Sequence, residues 1–525
     1  MLTESNSQET ICINPATGEV IGRSKLHSID DLKVMINYAR AAQVVWDGLS
    51  IEQRAKKIIK IRDFIVNNST RISELISKDN GKTKVDALAT EVLPSAMAVT
   101  YYCKKAKSFL KDQKISTGNL FLFYKRSKIV RIPYGVVGII SPWNYPLAIP
   151  FADVITALLC GNAVILKTAT ETQLVGLLLK EMVEYAELPK GLFNYINLPG
   201  RIAGDTFIEN GIDKIFFIGS VQTGKYLLEK ASKTLTPVNL ELGGNDAMIV
   251  CEDADLYRAA NGALWGSFQN SGQSCGGIER IYVHEKIYDQ FILLLKEKVE
   301  NLNVEMGSNL NSDMGCMASD KQVETVNKHI EDALVKGAII YARSNVPSEK
   351  NYKNFMPAMV ITNVNHDMLM MKDETFGPVV GVMKFTDYEE AIKLANDSYL
   401  GLTGSVWSKN QKKAEKIARK IEAGVVTIND HLMSHGMAET PWGGFKQSGR
   451  GRSHGKFGFD EMTQPMVIVK DLLWFTKKQL WWHPYNHKVY GGIEGLLNLL
   501  YNKSLFKKIV GIKKVLSIVP RIFKK

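Results

Sequence analysis

The chain has 525 residues, of which 45% are hydrophobic and 23% charged, so it is expected to fold into two or three globular domains. Its net charge of +12 comes almost entirely from residues 477–525, which contain eleven Lys or Arg and one acidic residue, Glu494. Residues 1–476 carry only +2, which argues against a nucleic-acid partner, and no run of eighteen apolar residues indicates a membrane-spanning helix.

The six cysteines are scattered along the chain, and none stands in a C-x-x-C or C-x-x-H spacing. We therefore expect no cysteine-based metal site. The N-terminal residues 1–6 lack the basic and apolar regions of a signal peptide. Together these features predict a reduced, cytoplasmic protein without a metal centre.

Residues 30–110 are predicted to be mostly helical, because apolar side chains recur at helical spacing, for example over residues 55–65. Residues 119–133 are instead rich in aromatic and β-branched residues. This composition predicts two β segments that meet at a polar turn around Lys125 to Ser127. Such a hairpin is suited to an oligomerisation arm.

From residue 135 onward, short apolar runs alternate with helical stretches, which is typical of a parallel α/β sheet. A second apolar and helical series runs from about residue 246 to residue 430. A glycine-rich stretch at 441–449 then leads to a final ordered segment near Met466 to Val469. The predicted strands of the first series are Gly135–Ile140, Ala163–Lys167, Phe193–Asn197 and Ile215–Ile218, with a helix between Thr172 and Leu188.

The last of these strands runs into Gly219-Ser220 and then into a helical segment. A glycine turn here brings backbone N–H groups and the positive end of a helix together, which suits the binding of an anion. The segment also imitates a nucleotide-hydrolase motif, but Tyr226 stands where a hydroxyl for Mg²⁺ is required. The alternative is a glycine that only turns the chain.

Lys167 ends a predicted strand at the edge where α/β proteins bind ligands, and its ammonium could donate to a ribose or a phosphate. A solvated strand-end lysine is the alternative. The next residues, through Thr170, offer hydroxyls rather than a carboxylate. Because a carboxylate would repel a 2′-phosphate, its absence permits NADP as well as NAD.

Two residues indicate covalent chemistry on a carbonyl group. Cys275 lies between small residues, where an electrophile can approach its sulfur, and Glu241 precedes it by thirty-four residues. A thiolate could attack the carbonyl carbon, and a nearby carboxylate could deprotonate a water for a second step. Either residue taken alone is more typical of a core cysteine or a solvated strand-end charge.

These residues belong to a collinear set of eight motifs. The motifs are Asp79-Asn80-Gly81-Lys82, Ser141-Pro142-Trp143-Asn144-Tyr145-Pro146, Gly161 to Lys167, Phe217 to Ser220, Glu241-Leu242-Gly243-Gly244-Asn245, Gly272 to Cys275, Glu374 to Pro378 and Pro441 to Lys446. Any one motif could arise by chance, but eight in the same order could not. Through these motifs, residues 11–470 resemble the NAD(P)-dependent aldehyde dehydrogenase superfamily.

The resemblance implies an α/β fold of the aldehyde dehydrogenase type, with a Rossmann-like cofactor domain, an α/β catalytic domain and a β-hairpin oligomerisation arm. A homodimer or tetramer is expected. We predict a cofactor-binding domain over 1–118 and 134–243 and a catalytic domain over 244–440. The arm and linking segments are predicted over 119–133 and 441–472, and a basic amphipathic extension over 473–525.

The resemblance also implies roles for individual residues. Cys275 would be the nucleophile, Glu241 the general base and Asn144 the side-chain donor to the oxyanion. The residues implied to bind NAD or NADP are Trp143, Lys167, Thr170, Gly219, Ser220, Leu242, Glu374 and Phe376. The family usually has Lys-Pro-x-Glu where this chain has Lys167-Thr168-Ala169-Thr170, which leaves the choice between NAD and NADP open.

The C-terminal extension has its own pattern. Five apolar residues from Leu505 to Val519 recur at spacings of 4, 3, 4 and 3, while four basic residues from Lys503 to Arg521 recur at 4, 7 and 7. An amphipathic helix of this kind can lie on an anionic membrane surface, such as the inner face of a membrane. The alternatives are a helix docked on the protein itself and a binding site for a partner protein.

The sequence therefore predicts the oxidation of a small-molecule aldehyde to a carboxylic acid, with a preference for apolar or long-chain substrates if the extension contacts a membrane. Three alternatives remain. The chain could be a succinate-semialdehyde dehydrogenase, although Arg280 alone is weak support for a cation in the substrate tunnel. It could pass the acyl group to coenzyme A, which Glu241 argues against, or it could be a non-catalytic cofactor-binding membrane scaffold.

Overall fold

The structure, a computed structural model, describes residues 8–349 and 351–524. Its first part is helical, as predicted. Ser28 and Ser50 each begin a helix, because their hydroxyls accept a hydrogen bond from the N–H of the residue three positions later. These elements are β1 (Glu9–Ile13), β2 (Val20–Lys25), α1 (Ile29–Asp47), α2 (Ile51–Ile58), α3 (Lys60–Asn67), α4 (Ser69–Asn80), α5 (Lys84–Ala87) and α6 (Leu93–Leu110).

A hairpin is present, but the prediction of two β segments within residues 119–133 that meet at Lys125 to Ser127 is wrong. Strand β3 (Gln113–Ile115) pairs antiparallel with β4 (Lys125–Pro133), and Ile115 lies opposite Ser127. The expected turn residues therefore lie within β4. The connection is formed by residues 116–124, where the Asn119 side chain accepts a hydrogen bond from the N–H of Phe121 at 2.8 Å. This local bond stabilises a short turn of helix and keeps the aromatic run out of the sheet.

The alternation predicted after residue 135 is confirmed. The central strands are buried on both faces, which explains why they appear in the sequence as continuous apolar runs. The elements are β5 (Val136–Ile140), α7 (Ala148–Leu159), β6 (Ala163–Lys167), α8 (Gln173–Tyr185), β7 (Phe193–Tyr195), α9 (Gly200–Glu209), β8 (Lys214–Ile218), α10 (Val221–Ala231) and β9 (Val238–Glu241).

A second α/β series follows. Its elements are β10 (Asp246–Val250), α11 (Leu256–Phe268), β11 (Ile278–His284), α12 (Tyr288–Glu300), α13 (Asp320–Val335), β12 (Ile339–Arg343), β13 (Met359–Thr362), α14 (Leu369–Lys372), β14 (Val379–Phe385), α15 (Tyr388–Asn396), β15 (Leu400–Gly401), β16 (Thr403–Trp407), α16 (Gln411–Ala418) and β17 (Val425–Ile428). The last part of the chain forms α17 (Met433–Gly436), β18 (Phe445–Lys446), β19 (Gly449–Arg450), α18 (Gly455–Glu461), β20 (Thr463–Asp471), α19 (His487–Tyr501) and α20 (Leu505–Ile518).

Two large sheets organise these elements. The six-stranded sheet has the order β19-β9-β8-β5-β6-β7, and the seven-stranded sheet has the order β12-β13-β14-β11-β10-β16-β17. All pairs are parallel except β19 with β9 and β12 with β13. Only residues 242–245 separate β9 from β10, so one short segment joins the two sheets.

The chain forms two compact units. The first comprises the residues up to Leu110 and Ile132–Gln464, and the second comprises Lys111–Arg131 and Pro465–Lys525. The first unit contains both large sheets, and the second contains the helices α19 and α20. The division of the first unit into cofactor and catalytic domains stays a prediction. Within the described part of the chain, each helix is too short or too polar to cross a membrane.

Candidate active site

The carboxyl ends of four parallel strands place the predicted residues at one edge of the six-stranded sheet. Strand β5 leads into the loop that carries Trp143 and Asn144, and β8 leads into Gly219. In the register of the sheet, Ile140 lies opposite Lys167, and Ile218 lies opposite Glu241. Residues far apart in the sequence therefore meet because parallel strands end at a shared edge.

The loop before Cys275 has an unusual backbone. Asn270 and Ser271 have φ angles of 53° and 55°, and Gly272 follows at 69°, all in the left-handed region. Such a conformation is costly for residues with a side chain and persists only where the surroundings hold it. Here the Asn270 N–H donates to Asp86 Oδ2 at 3.2 Å, and Ser271 Oγ donates to the Gly315 carbonyl at 3.1 Å.

Glycine is required beside this loop. A Cβ on Gly272 would lie 2.1 Å from the Gly377 carbonyl oxygen, and a Cβ on Gly244 would lie 2.2 Å from the Cys275 carbonyl oxygen. Both distances are well below van der Waals contact. The Glu-Leu-Gly-Gly motif thus lets the segment between the two sheets approach the cysteine closely.

Cys275 lines two separate cavities of the first unit. One has a volume of about 240 Å³ and the other about 350 Å³. The first, here called the cofactor cavity, contains Asn144, Glu241 and six of the eight residues implied to bind NAD or NADP: Trp143, Gly219, Ser220, Leu242, Glu374 and Phe376. The structure thus brings the three predicted catalytic residues and most of the predicted cofactor residues around one space.

The cofactor cavity offers the contacts that a dinucleotide requires. Ser220 begins α10, its hydroxyl accepting from the Thr223 N–H at 3.3 Å, so the helix N-terminus follows the glycine turn and can face a phosphate. The rings of Trp143 and Phe376 pack edge to face with centroids 5.5 Å apart. Glu374 accepts a hydrogen bond from the Gly244 N–H at 3.0 Å. These residues fit NAD or NADP.

Lys167 and Thr170 are not among the residues that line this cavity. Lys167 is buried at the end of β6, and burial lowers the pKa of its ammonium. Its Nζ lies 3.6 Å from where a Cβ on Gly200 would be, close to the start of α9. Thr170 is exposed in a short turn of helix. Their role in cofactor binding stays a prediction.

The second cavity, here called the apolar cavity, was not predicted from the sequence. Its lining comes from residues within 89–97, 145–149, 265–276 and 432–442, which are far apart in the sequence. Among the described residues that line it there is no Lys, Arg, Asp or Glu. Its lining includes Leu93, Met97, Tyr145, Trp265, Leu432, Met433, His435 and Trp442.

The apolar cavity carries no charge at neutral pH. Its one imidazole is that of His435, and desolvation lowers the pKa of this group to about 4. The neutral form therefore dominates at pH 7. Arg280, the cation considered from the sequence, does not line this cavity. Arg280 belongs to β11, and its guanidinium donates hydrogen bonds to the carbonyl oxygens of Asn245, Leu394 and Ala395.

Burial adjusts the ionisation of Glu241 and Cys275. Loss of water raises the pKa of Glu241 to about 7, against the opposing effect of a hydrogen bond from the Ser453 hydroxyl and the charge of Arg452. A base with a pKa near 7 can take up and release protons at physiological pH. Burial also raises the pKa of the Cys275 thiol, and the carboxyl groups of Glu374, Asp246 and Glu241 add to this effect.

Hydrogen bonds hold both the side chain and the backbone carbonyl of Asn144. Its Nδ2 donates to the Gln273 carbonyl at 3.2 Å, which ties it to the cysteine loop and leaves its second hydrogen available. Its own carbonyl accepts from Lys82 Nζ and Asn270 Nδ2, each at 2.9 Å. Sequence motifs included Lys82 but gave no sign of this contact.

A fully buried ion pair supports the same loop. Lys82 Nζ lies 2.6 Å from Glu91 Oε1, and Glu91 Oε2 accepts from the N–H groups of Leu147 and Ala148 at 2.7 and 3.2 Å. Because both partners are fully desolvated, removal of one would leave an uncompensated charge in the core. The pair therefore fixes the backbone from the Asn144 carbonyl to Ala148.

Comparison with known families identifies the chain. Residues 2–468 match the model of the aldehyde dehydrogenase family. The chain belongs to this family. It is accordingly an NAD(P)-dependent oxidoreductase with the aldehyde dehydrogenase fold, as the sequence motifs predicted.

Individual relatives agree with this assignment. The chain is 36% identical to a 4,4'-diapolycopene aldehyde oxidase from Methylomonas over 491 residues, which cover 94% of this chain and 91% of that protein. It is 34% identical to a Mycolicibacterium smegmatis protein provisionally named an NADP(+)-dependent succinate-semialdehyde dehydrogenase, with 86% and 87% covered. The Staphylococcus aureus betaine aldehyde dehydrogenase in complex with NAD+ matches at a TM-score of 0.84 and 32% identity, covering 91% of this chain and 95% of that one.

Proposed function

We propose that this chain oxidises apolar aldehydes to carboxylic acids, with Cys275 as nucleophile, Asn144 as oxyanion donor and Glu241 as general base. The observation that carries this proposal is the position of Cys275, which lines both the cofactor cavity and the uncharged apolar cavity. An aldehyde in the apolar cavity would have its carbonyl carbon next to the sulfur, which also borders the cofactor cavity.

In the first step the Cys275 thiol releases its proton to water as its sulfur forms a bond to the carbonyl carbon, and the carbonyl oxygen becomes an alkoxide. The remaining Nδ2 hydrogen of Asn144 and the Cys275 backbone N–H are the donors that would hold this charge. A donor of this kind stabilises an oxyanion by ~3 to 4 kcal/mol in comparable sites. The buried pair of Lys82 and Glu91 keeps the Asn144 loop in position for this contact.

Bound NAD+ or NADP+ supplies the acceptor for the hydride that leaves the tetrahedral carbon, which becomes a thioester on Cys275. Glu241 then takes a proton from a water molecule as the water oxygen attacks the acyl carbon. The carbon–sulfur bond breaks, the carboxylic acid is released, and the departing sulfur takes the proton from Glu241, which restores the thiol and the carboxylate. A pKa near 7 allows Glu241 to act as this base at neutral pH.

The apolar cavity favours an uncharged substrate over succinate semialdehyde, although a relative carries that name. A distal carboxylate would enter a space without a described Lys or Arg, and a buried charge without a partner costs several kcal/mol. The 4,4'-diapolycopene aldehyde named for the Methylomonas relative is of the chemical class that this cavity suits. The six-stranded sheet would serve as the cofactor part and the seven-stranded sheet as the catalytic part.

Initial rates of NAD+ and NADP+ reduction with aldehydes graded by chain length and by distal charge test this proposal. We expect kcat/KM to rise with apolar length and to be roughly 100-fold or more lower for succinate semialdehyde than for an uncharged aldehyde of similar length. Cys275→Ala should be inactive with every aldehyde, and Cys251→Ala, a buried cysteine outside the site, should retain activity. A preference for succinate semialdehyde would contradict the proposed substrate class.

A further inference from the structure

The two C-terminal helices pack against each other through glycine rather than through their apolar stripes. A Cβ on Gly511 of α20 would lie 2.4 Å from the Gly495 carbonyl oxygen of α19, and a Cβ on Gly492 would lie 2.3 Å from Ile518. The backbones therefore approach closely at these positions. This pair of helices, residues 487–518, is here called the helical hairpin.

The apolar stripe of the helical hairpin is exposed to solvent. The α20 residues Leu505, Ile509, Ile512 and Leu516 are between 41% and 76% exposed, and Leu497 of α19 is 58% exposed. A helix docked on the protein would bury this stripe and expose its lysines. The structure exposes both, and several exposed apolar side chains on one helix stripe are typical of an interaction site.

The charge of this region indicates the chemistry of its partner. Its single acidic residue, Glu494, is already paired with Lys514 at 2.7 Å, whereas Lys503, Lys507 and Lys513 are exposed. An anionic surface complements this excess of positive charge. A second copy of the same face would instead bring like charges together across a two-fold axis, which is unfavourable.

We propose that the helical hairpin docks in the plane of an anionic lipid bilayer, with its apolar stripe among the acyl chains and its lysines at the headgroup phosphates. Helices of fifteen and fourteen residues are about 22 and 21 Å long, which is shorter than the hydrocarbon core of about 30 Å. The hairpin therefore lies on the membrane and does not span it. The exposed Trp482 and Tyr485 precede α19 and suit the headgroup layer.

Flotation of the full-length protein with vesicles tests this inference. We expect the protein to float with vesicles that contain phosphatidylglycerol, to bind pure phosphatidylcholine vesicles much more weakly, and to be released by added salt. The variant Lys503→Gln/Lys507→Gln/Lys513→Gln should lower the partition coefficient by on the order of 100-fold, since each basic residue contributes a several-fold effect. The matched control is Lys409→Gln/Lys412→Gln/Lys416→Gln, three exposed lysines of the first unit.

A second pair of variants isolates the apolar contribution. Ile509→Glu/Leu516→Glu should abolish flotation, whereas Leu293→Glu/Val335→Glu, at exposed positions of the first unit, should leave it unchanged. Oxidation of a water-soluble aldehyde by each variant shows that it is folded. Failure of the wild type to float, or flotation of the Ile509→Glu/Leu516→Glu variant, would overturn the inference.

Light scattering tests the alternative that a second copy of the chain covers the apolar stripe. If the apolar stripe joined two copies of the chain, Ile509→Glu/Leu516→Glu would reduce the molar mass while the wild type failed to bind anionic vesicles, and the membrane inference would be wrong. The inference does not rest on the proposed substrate. A protein that prefers charged aldehydes but floats with anionic vesicles would contradict the proposed function alone.

Discussion

At the scale of single residues, burial decides the chemistry. Glu241 is an ordinary carboxyl group by sequence, and its removal from water raises its pKa to about 7. The thiol of Cys275 responds to burial in the same direction. The sequence could name both residues from their motifs, but it could not give their ionisation, because desolvation depends on atoms contributed by both sheets.

The role of Glu241 leads to a prediction about hydrolysis. In Glu241→Gln we expect steady-state turnover to fall roughly 100- to 10,000-fold, because the neutral amide cannot accept the proton of the attacking water. Thioester formation precedes this step, so a single-turnover burst of reduced cofactor should survive. Rapid-mixing absorbance measurements check both. Glu331→Gln, on the exposed side of α13, is the control, and loss of the burst in Glu241→Gln would contradict the assigned role.

The same group sets an expected pH dependence. As the proposed base, Glu241 would act in its deprotonated form, so the raised pKa would make it active only above that value. The rate constant of thioester hydrolysis should increase about tenfold per pH unit below pH 7 and become constant above it. Single-turnover measurements across the pH range test this profile, and a rate independent of pH would argue that another group is the base.

At the scale of elements, short apolar strands were the most predictable part of the fold. The strand Ala163–Lys167 was predicted with its exact bounds, since it is buried on both faces and bounded by glycine and threonine residues. The bounds of the hairpin after residue 110 were not predicted correctly, because aromatic residues favour both a strand and a packed turn. There the hydrogen bond between Asn119 and Phe121, which pattern does not reveal, decides the outcome.

Glycine at the contact between α19 and α20 provides a prediction at this scale. In Gly511→Val the new side chain would meet the Gly495 backbone, and overpacking of this kind costs about 1–3 kcal/mol. We expect faster amide hydrogen exchange over residues 487–518, measured by mass spectrometry. Gly491→Val is a matched control, since a Cβ there meets no heavy atom within 4 Å. Equal exchange in the two variants would show that close packing is unimportant.

At the scale of the whole molecule, two sheets of mostly parallel strands position the segments that surround Cys275. This residue lines both the cofactor cavity and the apolar cavity. The cofactor cavity collects the ends of β5, β8 and β9, and the apolar cavity is formed by helices and by residues 432–442. The expected homodimer or tetramer stays a prediction. In the proposed mechanism this arrangement also sets the choice between water and another acyl acceptor, because Glu241 and Cys275 line the same cavity.

This arrangement predicts the product of the reaction. Carboxylic acid should accumulate at the same rate with and without coenzyme A, since Glu241 activates water beside the acyl group. Chromatography of the products after complete oxidation of an apolar aldehyde measures both species. Formation of an acyl-coenzyme A ester in proportion to the added thiol would contradict the hydrolytic assignment.

The sequence by itself determined the family, the order of strands and helices in the first sheet, and the identities of Cys275, Glu241 and Asn144, because short motifs and local hydrophobic periods encode these features. Only the tertiary structure decided the uncharged lining of the apolar cavity, the contact of Lys82 and Glu91 with the Asn144 loop, and the exposure of the stripe on α20. Each of these depends on contacts between segments far apart in the chain. A residue's neighbours in space, which set its burial and its charge, are not specified by its neighbours in sequence.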